Sequence, residues 1–114
     1  MNNIDFYKQV MSLRRRGERG AVATIIRTKG STPRGTGAKM IIYANGDIFG
    51  TIGGGCGEAE VIEKSFSVIR SGIAVQHQVD LTEGLFYEDG GICGGIMDVF
   101  IEPIHEVETV NLVH

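Results

Sequence analysis

The stretch from Gly50 to Glu60, GTIGGGCGEAE, falls where the period changes. Immediately before it apolar residues come in short β-branched runs; immediately after it, from Gly57 to Ser71, they recur every three or four residues. Between the two stand three consecutive glycines, a cysteine and Gly57. Glycine costs backbone entropy and adds nothing to a core, so such a run meets a geometric need. Either the backbone turns through conformations closed to other residues, or something approaches it closely. The first needs only one or two glycines, and three in a row favour the second.

On the N-terminal side, AVATIIRT (Ala21–Thr28) reads as a buried strand. Ala38–Tyr43 forms a second strand. The hairpin dipeptide Asn45-Gly46 then leads into a third, Asp47–Ile52. On the C-terminal side, Gly57–Ser71 has helical period, with Ala59, Ile62, Phe66 and Ile69 on one face and Gly72 as its stop. Ile73, Val75, His77, Val79 and Leu81 then alternate on one side of a strand. A loop spans Thr82–Gly95, and a last strand runs Ile96–Glu102 before Pro103.

The chain opens with an amphipathic helix, Asn3–Arg16, carrying Phe6, Val10 and Leu13 on its apolar stripe, with Tyr7 and Met11 widening it. Asn3 is its N-cap and Gly17 its close. The basic triplet Arg14–Arg16 falls in the last turn, where the helix dipole favours positive charge. The order α-β-β-β-α-β-β predicts an α+β fold: a single domain over residues 1–114, with a mixed or antiparallel sheet and two main helices.

Composition narrows the function classes. A chain of 114 residues, 42% hydrophobic, has one modest core. A net charge of −3 gives no basic field for nucleic acid. Two cysteines are too few for a stapled secreted scaffold. The N-terminal sequence has no apolar run resembling a signal peptide or a membrane span. These features predict a cytoplasmic protein with reduced thiols.

Three glycine-rich loops could hold chemistry: Gly30–Gly37, Gly53–Gly57 and Gly90–Gly95. The middle one ends a strand and opens a helix, where free N–H groups and the dipole attract anions. Glu58 and Glu60 in the first helical turn oppose a phosphate there, or simply complement the dipole. Arg34 and Lys39 supply positive charge if the first loop folds over the second. The known nucleotide loops do not match. Gly30–Gly35 has Walker spacing with Thr36 in the lysine position, and Gly35-Thr-Gly37 begins a dinucleotide fingerprint that Met40 ends.

Cys56 and Cys93 both lie beside glycines at strand ends, and a cysteine at a helix start has a lowered thiol pKa. Two small buried residues would give the same pattern. No CxxC occurs, and His77, His105 and His114 lack zinc-ligand spacing. His77 reads as a core-edge residue of its strand. The carboxylates Asp80, Asp89, Asp98 and Glu102 offer no acid–base pair.

Several ordered motifs together resemble the XdhC/CoxI family: Gly30-Ser-Thr-Pro-Arg34, Gly37-Ala-Lys-Met40, Gly50-Thr-Ile-Gly-Gly-Gly55 with Glu58, and Cys93-Gly-Gly95 leading into Val99-Phe-Ile-Glu-Pro103. The similarity covers about residues 5–104. Members are accessory proteins of molybdenum hydroxylases such as xanthine dehydrogenase and carbon monoxide dehydrogenase.

The resemblance implies binding of the molybdenum cofactor (molybdopterin), its protection, and help with its sulfuration and insertion into a client hydroxylase. Position by position it implies cofactor binding by Ser31, Arg34, Lys39, Gly53, Gly54, Gly55, Cys56, Glu58 and Cys93. Such a protein is a chaperone more than a turnover enzyme. A thiol-dependent sulfur carrier using Cys56 or Cys93 and a structural partner subunit are the alternatives. Longer members continue into a C-terminal Rossmann-like domain that this sequence lacks, so a separate Rossmann subunit and a homo-oligomer are the expected partners besides the client.

Overall fold

The computed structural model describes residues 3–53, 55, 57–82 and 94–105. The elements run α1 (Asn3–Arg15), β1 (Gly20–Lys29), β2 (Lys39–Tyr43), β3 (Ile48–Gly50), α2 (Glu58–Ser71), β4 (Val75–Asp80) and β5 (Ile96–Ile104). The five strands form one sheet in the order β3-β2-β1-β5-β4, and every neighbouring pair is antiparallel. This is the expected α+β element order.

The two helices cover opposite faces. Alternation along β1 sends Ala21, Ala23 and Ile25 to one side, where they meet Met40 and Ile42 of β2 and Met97, Val99 and Ile101 of β5. Helix α2 closes that core with Val61, Val68 and Ile69. On the other side Val22, Ile41 and Ile104 receive Phe6 and Leu13 of α1. The predicted α1 stripe holds for Phe6, Val10 and Leu13, whereas Tyr7 and Met11, expected to widen it, are exposed.

The buried stripe of α2 differs from expectation. It runs through Val61, Ser65, Val68 and the expected Ile69, while Ile62 and Phe66 are only partly buried and Ala59 is exposed. Ser65 disguises the stripe in the sequence. Its hydroxyl is fully buried and donates to the Val61 carbonyl at 2.7 Å, so a polar residue sits in the core without an unmet hydrogen bond. Gly72 ends the helix as expected, in the left-handed conformation, with its N–H bonded to the Val68 carbonyl at 2.8 Å.

Three strand boundaries also move. β3 is only three residues long, and Asn45-Gly46 lies within a four-residue connection in which the Asn45 side chain accepts the Asp47 N–H at 2.9 Å. β5 continues through Pro103, which pairs with Ala21. A proline fits there because β4 reaches only as far as Ile101, so β5 is open on one side at that point. Finally, β1 is longer than predicted and carries a bulge: Ile25 pairs with Val99 and Arg27 with Asp98, leaving Ile26 as the extra residue.

Candidate functional site

Antiparallel order brings the ends that carry chemistry to a single edge of the sheet. The C-terminal ends of β1, β3 and β4 and the N-terminal ends of β2 and β5 all lie there, as does the start of α2. The described parts of all three glycine loops therefore share this edge, and specific contacts join them.

The first and third loops are joined backbone to backbone. The Gly94 N–H donates to the Ser31 carbonyl at 3.2 Å. A side chain at Gly95 would meet the Lys29 carbonyl oxygen at 2.4 Å and the Ser31 oxygen and nitrogen at 2.6 and 2.9 Å. Only glycine allows this approach. The third loop also touches the end of β4, where the Gly95 carbonyl accepts the Leu81 N–H at 2.8 Å. The second loop joins from below: Gly57, at φ 80°, would place a side chain 2.4 Å from Val79 Cγ1. Residue 57 thus needs to be glycine for both its conformation and its packing.

The first loop faces the end of β3 across a cleft of about 200 Å³. Arg34 and Gly37 form one wall, Gly50 and Thr51 the other, and Lys39 with Asn3 and Phe6 of α1 closes the end. Lys39 is half-buried, its Nζ 3.2 Å from Thr24 Oγ1 and 5.7 Å from the centre of the Phe6 ring. Arg34 is exposed, and its carbonyl is held by the Thr32 hydroxyl at 2.9 Å. Two cations, Arg34 of the first loop and Lys39 at the start of β2, thus face a small polar cleft, an arrangement suited to a compact anion such as a phosphate. A larger groove of about 620 Å³ lies on the outer face of α1. It is lined by exposed Ile4, Tyr7 and Met11 and includes none of the glycine loops.

Among the residues expected from the sequence, Arg34 and Lys39 line one cleft, opposite Gly50 and Thr51 and not the Gly53–Gly57 loop. Ser31 contributes its backbone to the joint with Gly94 and Gly95. Gly53 donates its N–H to Thr51 Oγ1 at 3.0 Å, and the Gly55 carbonyl accepts the Gly57 N–H at 3.0 Å. Glu58 accepts the Thr51 hydroxyl at 2.8 Å. Gly54, Cys56 and Cys93 lie outside the described residues. Their neighbours Gly53, Gly55, Gly57 and Gly94 are on the shared edge.

Asn3, Phe6 and Thr51 were not expected in the site. Phe6 carries only a core signal in the sequence, and Asn3 only a capping signal. Thr51, inside the glycine motif, could have been noticed as its one hydroxyl.

Two further groups near this edge are structural. His77 is half-buried on the α2 side of β4, with Nε2 3.0 Å from Glu60 Oε2, and so ties the strand to the first turn of α2. Asp98, buried in β5, accepts Arg27 Nε at 2.7 Å and Gln78 Nε2 at 3.2 Å.

Where β4 leaves the sheet, the Thr82 hydroxyl and N–H both donate to the Asp80 carboxylate, holding its pKa below the ordinary value. A lowered folded-state pKa adds stability above the unfolded value, and this is lost as pH falls through the folded one. Thr82→Ala should therefore raise the Asp80 titration midpoint toward that of a free carboxylate in an NMR pH series. An unmoved midpoint would exclude the turn as the cause.

The comparisons with known proteins agree with this architecture. Over 86 residues the sequence is 40% identical to "Uncharacterized protein YqeB" of Escherichia coli (strain K12), covering 71% of this chain and 15% of that protein. The fold superposes on a crystal structure described as a xanthine dehydrogenase from Bacillus halodurans with a TM-score of 0.78 and 27% identity, covering 91% of this chain and 31% of that one. The chain thus spans less than a third of the length of either relative. The XdhC and CoxI family model matches residues 13–80, well over half the chain, across the first two glycine loops and both cations of the cleft. The chain belongs to the XdhC and CoxI family.

Proposed function

We propose that this domain binds the molybdenum cofactor as an accessory protein of a xanthine dehydrogenase- or carbon monoxide dehydrogenase-type hydroxylase, holding it for sulfuration and insertion. The observation that carries the reading is the meeting of Arg34 and Lys39 in one cleft beside the Gly50–Thr51 wall. The cofactor is a pyranopterin with a phosphate at one end and a metal-holding dithiolene at the other. Its phosphate matches the charge and size of this cleft.

When bound, the cofactor would supply the molybdenum centre that the client hydroxylase uses. The chain's own residues bind and orient it. Arg34 and Lys39 hold the anionic end, the Lys39 ammonium being kept in place by Thr24 and the Phe6 ring. Gly53 and Gly55 lie along the same edge, and at Gly55, where a side chain would meet nothing within 4 Å, the backbone is open to the flat pterin. Cys56 and Cys93, the cysteines of the second and third loops, are the soft donors proposed to act near the metal or its sulfur. The client hydroxylase is the proposed partner. Family membership and the described xanthine dehydrogenase relative support this placement.

Protein purified without oxygen from a molybdenum-replete host should carry a bound pterin, detectable by absorbance and mass spectrometry. Purified protein free of pterin that also fails to take up released cofactor would reject the reading.

A further inference from the structure

Glu58 has an unexpected place in this site. A carboxylate close to a proposed anion site opposes the ligand's charge, so its presence there calls for another role. Here Oε2 accepts the Thr51 hydroxyl at 2.8 Å, and the same hydroxyl oxygen accepts the Gly53 N–H at 3.0 Å. An ionised carboxylate only accepts hydrogen bonds, whereas a hydroxyl has one proton and two lone pairs. Glu58 therefore fixes the direction of the Thr51 proton and leaves a lone pair toward Gly53. Glu58 is itself anchored as the first residue of α2, where negative charge complements the dipole. The chain Glu58–Thr51–Gly53 ties the start of the glycine run to the helix that follows it, and Thr51 lines the cleft shared with Arg34 and Lys39.

We propose that Glu58 is a positioning residue: it sets the shape of the glycine loop through Thr51 and Gly53 and does not serve as a ligand or proton-transfer group. The inference rests on the reading that this loop receives the cofactor, yet its core is a property of the loop alone. It can therefore be tested with and without ligand.

The experiment combines amide hydrogen exchange at Gly53, followed by NMR, with binding of molybdenum cofactor released from a purified hydroxylase. Thr51→Val and Glu58→Ala should each speed Gly53 exchange about tenfold, the loss of one shared hydrogen-bond chain, without lowering the thermal midpoint of the whole domain. Because both act on one chain, the double variant should be no faster than the faster single one. Thr51→Ser and Glu58→Gln, which keep the hydroxyl and an acceptor oxygen, should restore both exchange and cofactor affinity to within about twofold of the parent.

Additive effects in the double variant would overturn the proposal. So would loss of binding in Glu58→Gln with unchanged Gly53 exchange, which would make the carboxylate a direct contact. A parent protein that binds no cofactor would reject the proposed function, while the exchange pattern would still decide the role of Glu58.

Discussion

Gly95→Ala should destabilise the domain by about 3 kcal/mol, the upper part of the range for overpacking a filled site. The added methyl group would lie 2.4, 2.6 and 2.9 Å from three backbone atoms of Lys29 and Ser31. Backbone cannot swing aside as a flexible side chain can. Relief requires β1 and β5 to separate where Lys29 pairs with Ile96. The strain falls where the first and third glycine loops join, so the loss of stability should come with loss of the Gly94–Ser31 hydrogen bond. Chemical denaturation would show a lower midpoint with an unchanged slope. A midpoint within the equivalent of about 0.5 kcal/mol of the parent would mean that the loops do not depend on this contact.

The combined Arg34→Ala and Lys39→Ala variant should bind the cofactor at least about a hundredfold more weakly than the parent, since each charge-assisted contact contributes about 1.5–3 kcal/mol. The two are not equivalent. Arg34 is exposed and its change should alter little but the charge, whereas Lys39 also packs over Phe6 and meets Thr24. Lys39→Met, which keeps most of the stem, separates charge from packing. Affinity of the parent should fall as salt is raised, and that dependence should flatten in the double variant. Salt-independent affinity shared by both proteins would place the anionic end of the ligand elsewhere.

Local pattern made most of the fold legible in the sequence. Phe6 and Leu13 declare one face of α1, Gly72 declares a helix end, and the alternation through Val79 declares a strand, because each signal depends on neighbours a few residues away. What could not be read depends on distant partners. Nothing in the order of strands says that β5 inserts between β1 and β4, and it is this insertion that joins Ser31 to Gly94. The buried Ser65 and the paired Pro103 were hidden for a related reason. Each has a residue type that argues against its position, and only the carbonyl of Val61 or the short reach of β4 makes it acceptable. Arg34 and Lys39 stood out as charges, but the Thr51–Glu58 bond that organises the loop beside them links residues seven apart across the glycine run.

The bulge at Ile26 acts as a phase shift in a two-stroke pattern. Before it, odd-numbered residues of β1 (Ala21, Ala23, Ile25) face α2; after it, odd-numbered Arg27 and Lys29 pair with Asp98 and Ile96 on the opposite beat. Strict alternation would drive both cations into the apolar layer and turn Thr28 outward. The bulge absorbs the surplus residue, so Ile25 and Thr28 keep the α2 side while Arg27 and Lys29 face away as a polar stalk for the first glycine loop. Removing Ile26 would close the bulge into regular pairing, with Arg27 still opposite Asp98 and Lys29 still opposite Ile96.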